Sequence, residues 1–244
     1  MKDLKKLREK SLLFTRKKVQ ESISEDNFII HTVNNIEELV KVSSVLTKRL
    51  RGWTALYLPE MSKKVSDNEG FIKLFLKNNR KELMKELQIK ESMGKDLSEK
   101  DLTPMFALAL RIESIYKLME ELKEYLETIT KKYCKNMDAV GGSLLVGKLI
   151  KEAGSLKRLA MIPASTVQLL GAEKALFRHL KTGSRPPKHG IILQNSLVSG
   201  AKKLNRGKAA RMFADKLSIA AKVDYFKGEF IGDKLRKELE EKLR

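Results

Sequence analysis

The sequence predicts an all-α chain in two parts. A long antiparallel coiled-coil hairpin is expected over residues 1–136, with its tip around residues 59–104, followed by a compact helical domain over residues 137–244. Three observations predict this. Two segments repeat apolar residues at alternating spacings of three and four, the seam of paired helices. The connector between them carries turn signals, which return the second segment antiparallel to the first. Beyond them, short helical runs are broken by glycine and proline.

In chain order, Leu4 to Val19 reads as a helix, with Leu4, Leu7, Leu12 and Leu13 supplying apolar contacts. The first seam is Ile36, Leu39, Ser43, Leu46, Leu50, Trp53 and Tyr57, apolar except at Ser43. The connector holds Pro59, a turn signal at Asn68–Gly70 and a helical run Phe71–Leu87. Ser92–Ser98 reads as a loop leading into a capped helix. The second seam runs Ile112, Ile115, Met119, Leu122, Tyr125 or Leu126, Ile129 and Tyr133, and Pro104 marks its helix start. Glu113, Lys117, Glu120, Glu121 and Lys123 form its charged shoulders. Most of this apolar surface is internal core. What remains at the tip suits association with a second copy of the chain, through residues the pattern does not identify.

Composition narrows the function. With 244 residues, 42% of them hydrophobic and 33% charged, the chain can bury a core of its own. Cys134 is the single cysteine, so neither an internal disulfide framework nor a Cys-rich zinc ribbon is possible. His31, His179 and His189 are too scattered for a metal cluster, and neither metal nor cofactor is expected. No apolar run approaches the ~18 residues of a membrane span. The basic start MKDLKKLREK has no apolar stretch behind it, so a reducing intracellular setting is expected.

Charge points to a partner. The formal net charge is +19. Residues 1–140 are mixed, with 28 basic and 22 acidic side chains, whereas residues 141–244 carry 22 basic and 9 acidic. Between Lys174 and Arg211 lie ten basic residues (Lys174, Arg178, Lys181, Arg185, Lys188, Lys202, Lys203, Arg206, Lys208 and Arg211) and no acidic one. Such a window repels itself unless an anionic partner covers it, and nucleic acid is the first candidate.

Enzyme signals are poor. Gly142-Ser-Leu-Leu-Val-Gly147-Lys148 imitates a phosphate-binding loop, but Leu149 stands where Ser or Thr would hold magnesium, and the interior is apolar. Cys134 has no histidine near it, and Glu173 and Asp215 stand nearly alone in the basic half. A nucleotide-dependent enzyme built on Gly142–Lys148 is therefore the weaker alternative.

The most informative stretch is Gly154–Gly190. It reads as a short helix, a break at Pro163, a helix Ala164–Leu170, and a further helix opened by Gly171-Ala172-Glu173-Lys174. Amides at that start favour an anionic phosphate. Phe177 and Arg178 sit beside Lys174 and Lys181, an aromatic among cations suited to stacking on an exposed base. The alternative makes Leu170, Leu176, Phe177 and Leu180 core, with Leu176 the best candidate. The stiff loop Lys181–Gly190 can follow a phosphate backbone. Lys181, Arg185, Lys188, Lys202, Lys203, Arg206 and Lys208 are the expected phosphate contacts.

These blocks carry a resemblance. Ala153–Leu156, Pro163–Arg178, Pro187–Ile192, Arg206–Lys208 and Lys216–Ala220 resemble the Nop domain. That domain occurs in scaffold proteins of box C/D small ribonucleoproteins and in one spliceosomal factor. Arg51-Gly-Trp-Thr-Ala-Leu-Tyr-Leu-Pro-Glu60 is similar to the family's coiled-coil region. With Gly171–Lys174 and Ala175-Leu176-Phe177-Arg178 both intact, the box C/D scaffold fits better than the splicing factor, and the style is archaeal. The resemblance implies a non-catalytic scaffold that docks on kink-turn guide RNA together with a ribosomal-type kink-turn-binding protein. It places Gly171, Ala172, Glu173 and Lys174 at that RNA–protein junction, and Ala175, Leu176, Phe177 and Arg178 against the end of the guide duplex. It also implies homodimerisation through the coiled coil. The methyltransferase fibrillarin would be recruited by an N-terminal domain that this chain, starting inside the first coiled-coil helix, is expected to lack. The implied location is cytoplasmic in an archaeon and nucleolar in a eukaryote. His189 departs from the family, which more often has tyrosine there.

Overall fold

The computed structural model describes residues 2–77 and 79–243, and every regular element among them is helical. Side chains are described from residue 4 onward. The elements fall into two compact units, Met1–Val33 with Tyr125–Arg244, and Asn34–Glu124. Two long helices, α2 (Glu25–Thr54) and α6 (Glu99–Tyr133), contribute residues to both units.

The Asn34–Glu124 unit packs those helix segments around α3 (Pro59–Lys64), α4 (Asn68–Lys77) and α5 (Arg80–Glu86). Its core joins Leu50, Leu58, Met61, Phe71, Ile72, Phe75 and Leu83 to Met105, Ala109 and Ile112, with Phe75 and Phe106 stacked at 4.8 Å. The two seams lie inward as their spacing requires, but Trp53 is 40% exposed while Thr54 and Tyr57 are buried. Tyr125 likewise faces out at 47% exposure and Leu126 is buried. Three further expectations change. Asn68–Gly70 is the first turn of α4, because the Asp67 carboxylate accepts from the Gly70 amide and caps the helix. The run expected over Phe71–Leu87 is divided between α4 and α5 and includes residue 78, outside the described residues; Asn79 and Glu82 form a capping box that starts α5. Helix α6 begins at Glu99, five residues before Pro104, where the Ser98 hydroxyl meets Asp101.

A single arginine organises this unit's connections. Arg51 donates to Val65 O at 2.7 Å, Asp67 O at 3.0 Å, Ser66 O at 3.2 Å and Asn68 Oδ1 at 3.2 Å, with its guanidinium 4.2 Å over the Phe71 ring. Glu60 accepts from Ser92 Oγ at 2.8 Å and the Met93 amide at 2.9 Å, which holds its carboxyl below the usual range. Arg51 and Glu60 bound the aromatic run picked out in the sequence, and both work here as ties between loops.

In the other unit α13 (Arg206–Tyr225) is the hub, packed against α7 (Lys135–Gly141), α9 (Leu156–Met161), α10 (Ala164–Leu169), α12 (Ser196–Ser199) and α14 (Gly232–Leu243). Ala209, Ala210, Phe213, Ala214, Leu217, Ala220 and Ala221 are buried along it at helical spacing, and the alanines admit close neighbours. At its end Asp224 accepts from the Asn136 amide at 3.0 Å, Asn136 Nδ2 at 2.8 Å and the Met137 amide at 2.9 Å. Gly142–Lys148 opens α8 (Ser143–Ala153), where a Cβ on Gly147 would meet Val33 Cγ2 at 2.7 Å. That glycine serves packing. Helix α1 (Lys2–Glu21) departs from expectation: Leu4, Leu7, Leu12 and Leu13 are 70%, 63%, 48% and 64% exposed. No facing element covers them, and the helix rests on its own backbone bonds and pairs such as Lys18–Glu21.

Candidate nucleic-acid interface

The candidate site grows from the link between α10 and α11 (Glu173–Thr182). Gly171 has φ +78°, and a Cβ there would stand 2.3 Å from Ile191 Cγ2, so both backbone and neighbour demand glycine. The loop that returns to this point is pinned by backbone bonds from Gly190 to Gln168 O at 2.8 Å and from Ile191 to Leu170 O at 2.9 Å. Gln168 Nε2 donates to Lys188 O at 2.6 Å and fixes the same loop from its other side. The Gly171 amide donates to Glu173 Oε1 at 2.8 Å, so that amide is already engaged.

Helix α11 buries none of its residues. Phe177 is 63% and Leu180 70% exposed, Lys174, Arg178 and Lys181 are exposed, and Ala172, Ala175 and Leu176 are half-buried. Phe177 and Leu180 therefore face solvent, with cations at i−3, i+1 and i+4 around Phe177. The helix closes at Gly183, and the His179 ring bonds Ser184 O to anchor the loop start.

The fold gathers three cations of the basic window at one groove. Lys188 and Lys208 come together with Arg211, Gln168, Pro187, Gly207 and Met212 around a groove of about 460 Å³. Arg206 is half-buried and donates to Ala201 O at 3.2 Å, so it braces the turn before α13. Lys202 and Lys203 are exposed in that turn beside Leu204, which is 93% exposed. Lys181 and Arg185 lie exposed along the loop, and His189 is half-buried. Sequence reasoning missed Gln168, which positions Lys188, and passed over Arg211 as a contact although it lies one helical turn from Lys208. The helical spacing of Lys208 and Arg211 was a usable signal; for Gln168 there was none.

Residues 35–244 match a family profile described as Nop, snoRNA binding domain, fibrillarin. The chain is 38% identical over 245 residues to a NOP5 family protein of Methanocaldococcus jannaschii, covering 93% of this chain and 59% of that protein. It is 34% identical over 254 residues to nucleolar protein 56 of Homo sapiens, covering 94% of this chain and 43% of that protein. A solved structure of a fibrillarin/Nop5p complex is similar with a TM-score of 0.57 and 26% identity, covering 99% of this chain and 79% of that chain. The chain thus spans about half the length of the curated relatives it matches.

Proposed function

The chain belongs to the Nop family, and on that premise we propose that it is a non-catalytic RNA-binding scaffold of a box C/D ribonucleoprotein that directs 2′-O-methylation. The observation that carries this reading is α11: a helix with no buried residue, presenting Phe177 among Lys174, Arg178 and Lys181 from a rigid base at Gly171 and Ile191. An exposed ring flanked by cations is the surface that stacks on a base and meets its phosphates.

In this reading Gly171, Ala172, Glu173 and Lys174 meet the junction of a kink-turn RNA and the small protein bound to it. The Gly171 amide is engaged by Glu173, so Lys174 and the first amides of α11 are the groups left to meet an anion there. Ala175, Leu176, Phe177 and Arg178 abut the end of the guide duplex, where the exposed ring can stack on the terminal pair. Lys188 and Lys208, joined by Arg211, hold a phosphate in their groove, and Lys181, Arg185, Lys202 and Lys203 add longer-range attraction. Arg206 acts by bracing its turn. The scaffold dimerises through the coiled-coil region, and fibrillarin is the methyltransferase partner, recruited through the family's N-terminal domain.

The test is an assembly assay with a kink-turn RNA, with and without a kink-turn-binding protein. Binding confined to the ternary mixture, lost on Phe177→Ala with Arg178→Ala, is the expected result. Equal binding to a duplex lacking the kink-turn would overturn the composite docking.

A further inference from the structure

A second cavity lies at the C-terminal end of α13, away from the groove at Lys188 and Lys208. Its volume is about 430 Å³, within the range of small-ligand pockets. It is lined by Lys132 and Tyr133 at the end of α6, Lys135 at the start of α7, Leu156 of α9, and Asp224, Tyr225, Lys227 and Gly228 where α13 ends. The three lysines are exposed, the two tyrosines half-buried, and Leu156 is buried. Lys227 occupies the left-handed position that ends α13 (φ +55°), with its amide on Asp224 O and that of Gly228 on Val223 O. Glycine is usual there; a lysine adds its ammonium to the rim.

The Asp224 carboxylate and the Tyr133 hydroxyl of the lining are already matched internally. Both Asp224 oxygens are taken by Asn136 and Met137. The Tyr133 hydroxyl bonds Asp26, which also accepts the Leu156 amide at 3.0 Å. What stays free for a ligand is ring surface and positive charge, since Lys132, Lys135 and Lys227 form no ion pair with a carboxylate among the described residues. Phe226, 67% exposed and edge-on to Tyr225 at 5.0 Å, extends the ring surface outward.

We propose that this cavity seats an unpaired nucleotide of a single RNA strand, its base against Tyr225 and Tyr133 and its flanking phosphates on Lys132, Lys135 and Lys227. Three cations around ring faces match a phosphodiester strand with splayed bases, the recognition used by sequence-tolerant single-strand binders. A duplex hides its base faces and cannot fill the cavity. An acidic peptide would use the lysines and leave the rings unmatched. Among the lining side chains the Tyr225 hydroxyl is the neutral donor and acceptor left for a base edge, so the site discriminates little between bases. It goes beyond the function proposed above, because a kink-turn and a duplex end require no such contact.

The test uses the whole chain and a labelled, unstructured oligouridine. Lys132→Gln, Lys135→Gln and Lys227→Gln together should weaken binding and flatten the log–log salt slope by about two, because three single-strand phosphate contacts are lost. Tyr225→Leu should weaken binding about tenfold with little change in that slope. With 4-thiouridine in the oligonucleotide, photo-crosslinks should map to Tyr225 or Tyr133. They should persist when Phe177 and Arg178 are both alanine, which separates this site from the duplex-end contact. All four substituted side chains reach the surface, so melting temperatures near that of the parent chain are expected. Unchanged affinity and slope in the triple variant overturn the proposal. So does uridine monophosphate binding as tightly as the oligonucleotide, or an acidic peptide binding more tightly than either.

Discussion

At Gly171 two independent demands meet: a left-handed backbone and a methyl group of Ile191 where a Cβ would stand. Gly171→Ala should cost about 1–3 kcal/mol, read as a lower melting temperature. Adding Ile191→Ala should recover the part due to the clash and leave the part due to φ. Arg51 is the matching case in the other unit. Its fork reaches four groups at different angles, which a lysine ammonium cannot do. Arg51→Lys and Arg51→Ala should therefore both destabilise, on the order of 2–3 kcal/mol in denaturant unfolding; full rescue by lysine would show that charge alone matters. Glu60 adds a pH dependence. The Met93 amide and Ser92 hydroxyl hold its carboxyl below its ordinary value, so its folded pKa lies under its unfolded one. Its contribution is present above the usual carboxylate range and lost as pH falls through the folded pKa. Glu60→Gln should lower the melting temperature at neutral pH and narrow its gap to the parent chain in acid.

Helix α11 and helix α1 look alike to a composition count, being basic helices with leucines, and the structure leaves Phe177 and Leu180 of the one and Leu4, Leu7 and Leu13 of the other uncovered. Deleting residues 2–20 should leave the melting temperature within about 2 °C, because surface changes of this kind fall within roughly 0.5 kcal/mol; a large drop would mean that α1 does pack. The comparison marks where sequence legibility stops. Periodicity revealed the seams through Leu50, Ile112 and Leu126 because a long helix that buries one face must repeat every three and four residues. It could not reveal whether a facing element exists, so Leu4 and Leu7 read as core. Neither could it say that Pro104 would sit inside a helix that had already begun at Glu99. The candidate site was legible as a charge window and an aromatic among cations. The grouping of Lys188 with Lys208, and the diversion of Arg206 to Ala201 O, depend on how the loops close and were not.

The molecule as a whole divides its +19 charge unevenly, and the structure sharpens that division. In residues 1–140, cations pair with neighbours on the same helix: Lys41 with Glu38, Lys73 with Glu69, Lys123 with Glu120 and Lys131 with Glu127. The stretch from Lys174 to Arg211 contains no carboxylate of its own. Counterions condensed on RNA are released by unpaired cations that reach its phosphates, so the salt dependence of assembly should come from the second set. Replacing Lys188, Lys208 and Arg211 with Gln should flatten the salt slope of ternary assembly by about two to three and lower affinity most at low salt. Replacing Lys41, Lys73 and Lys123 removes the same formal charge from paired positions and should leave that slope unchanged. Equal slopes from the two triple variants would mean that RNA senses only the net charge of the chain and that the groove at Lys188 and Lys208 holds no phosphate.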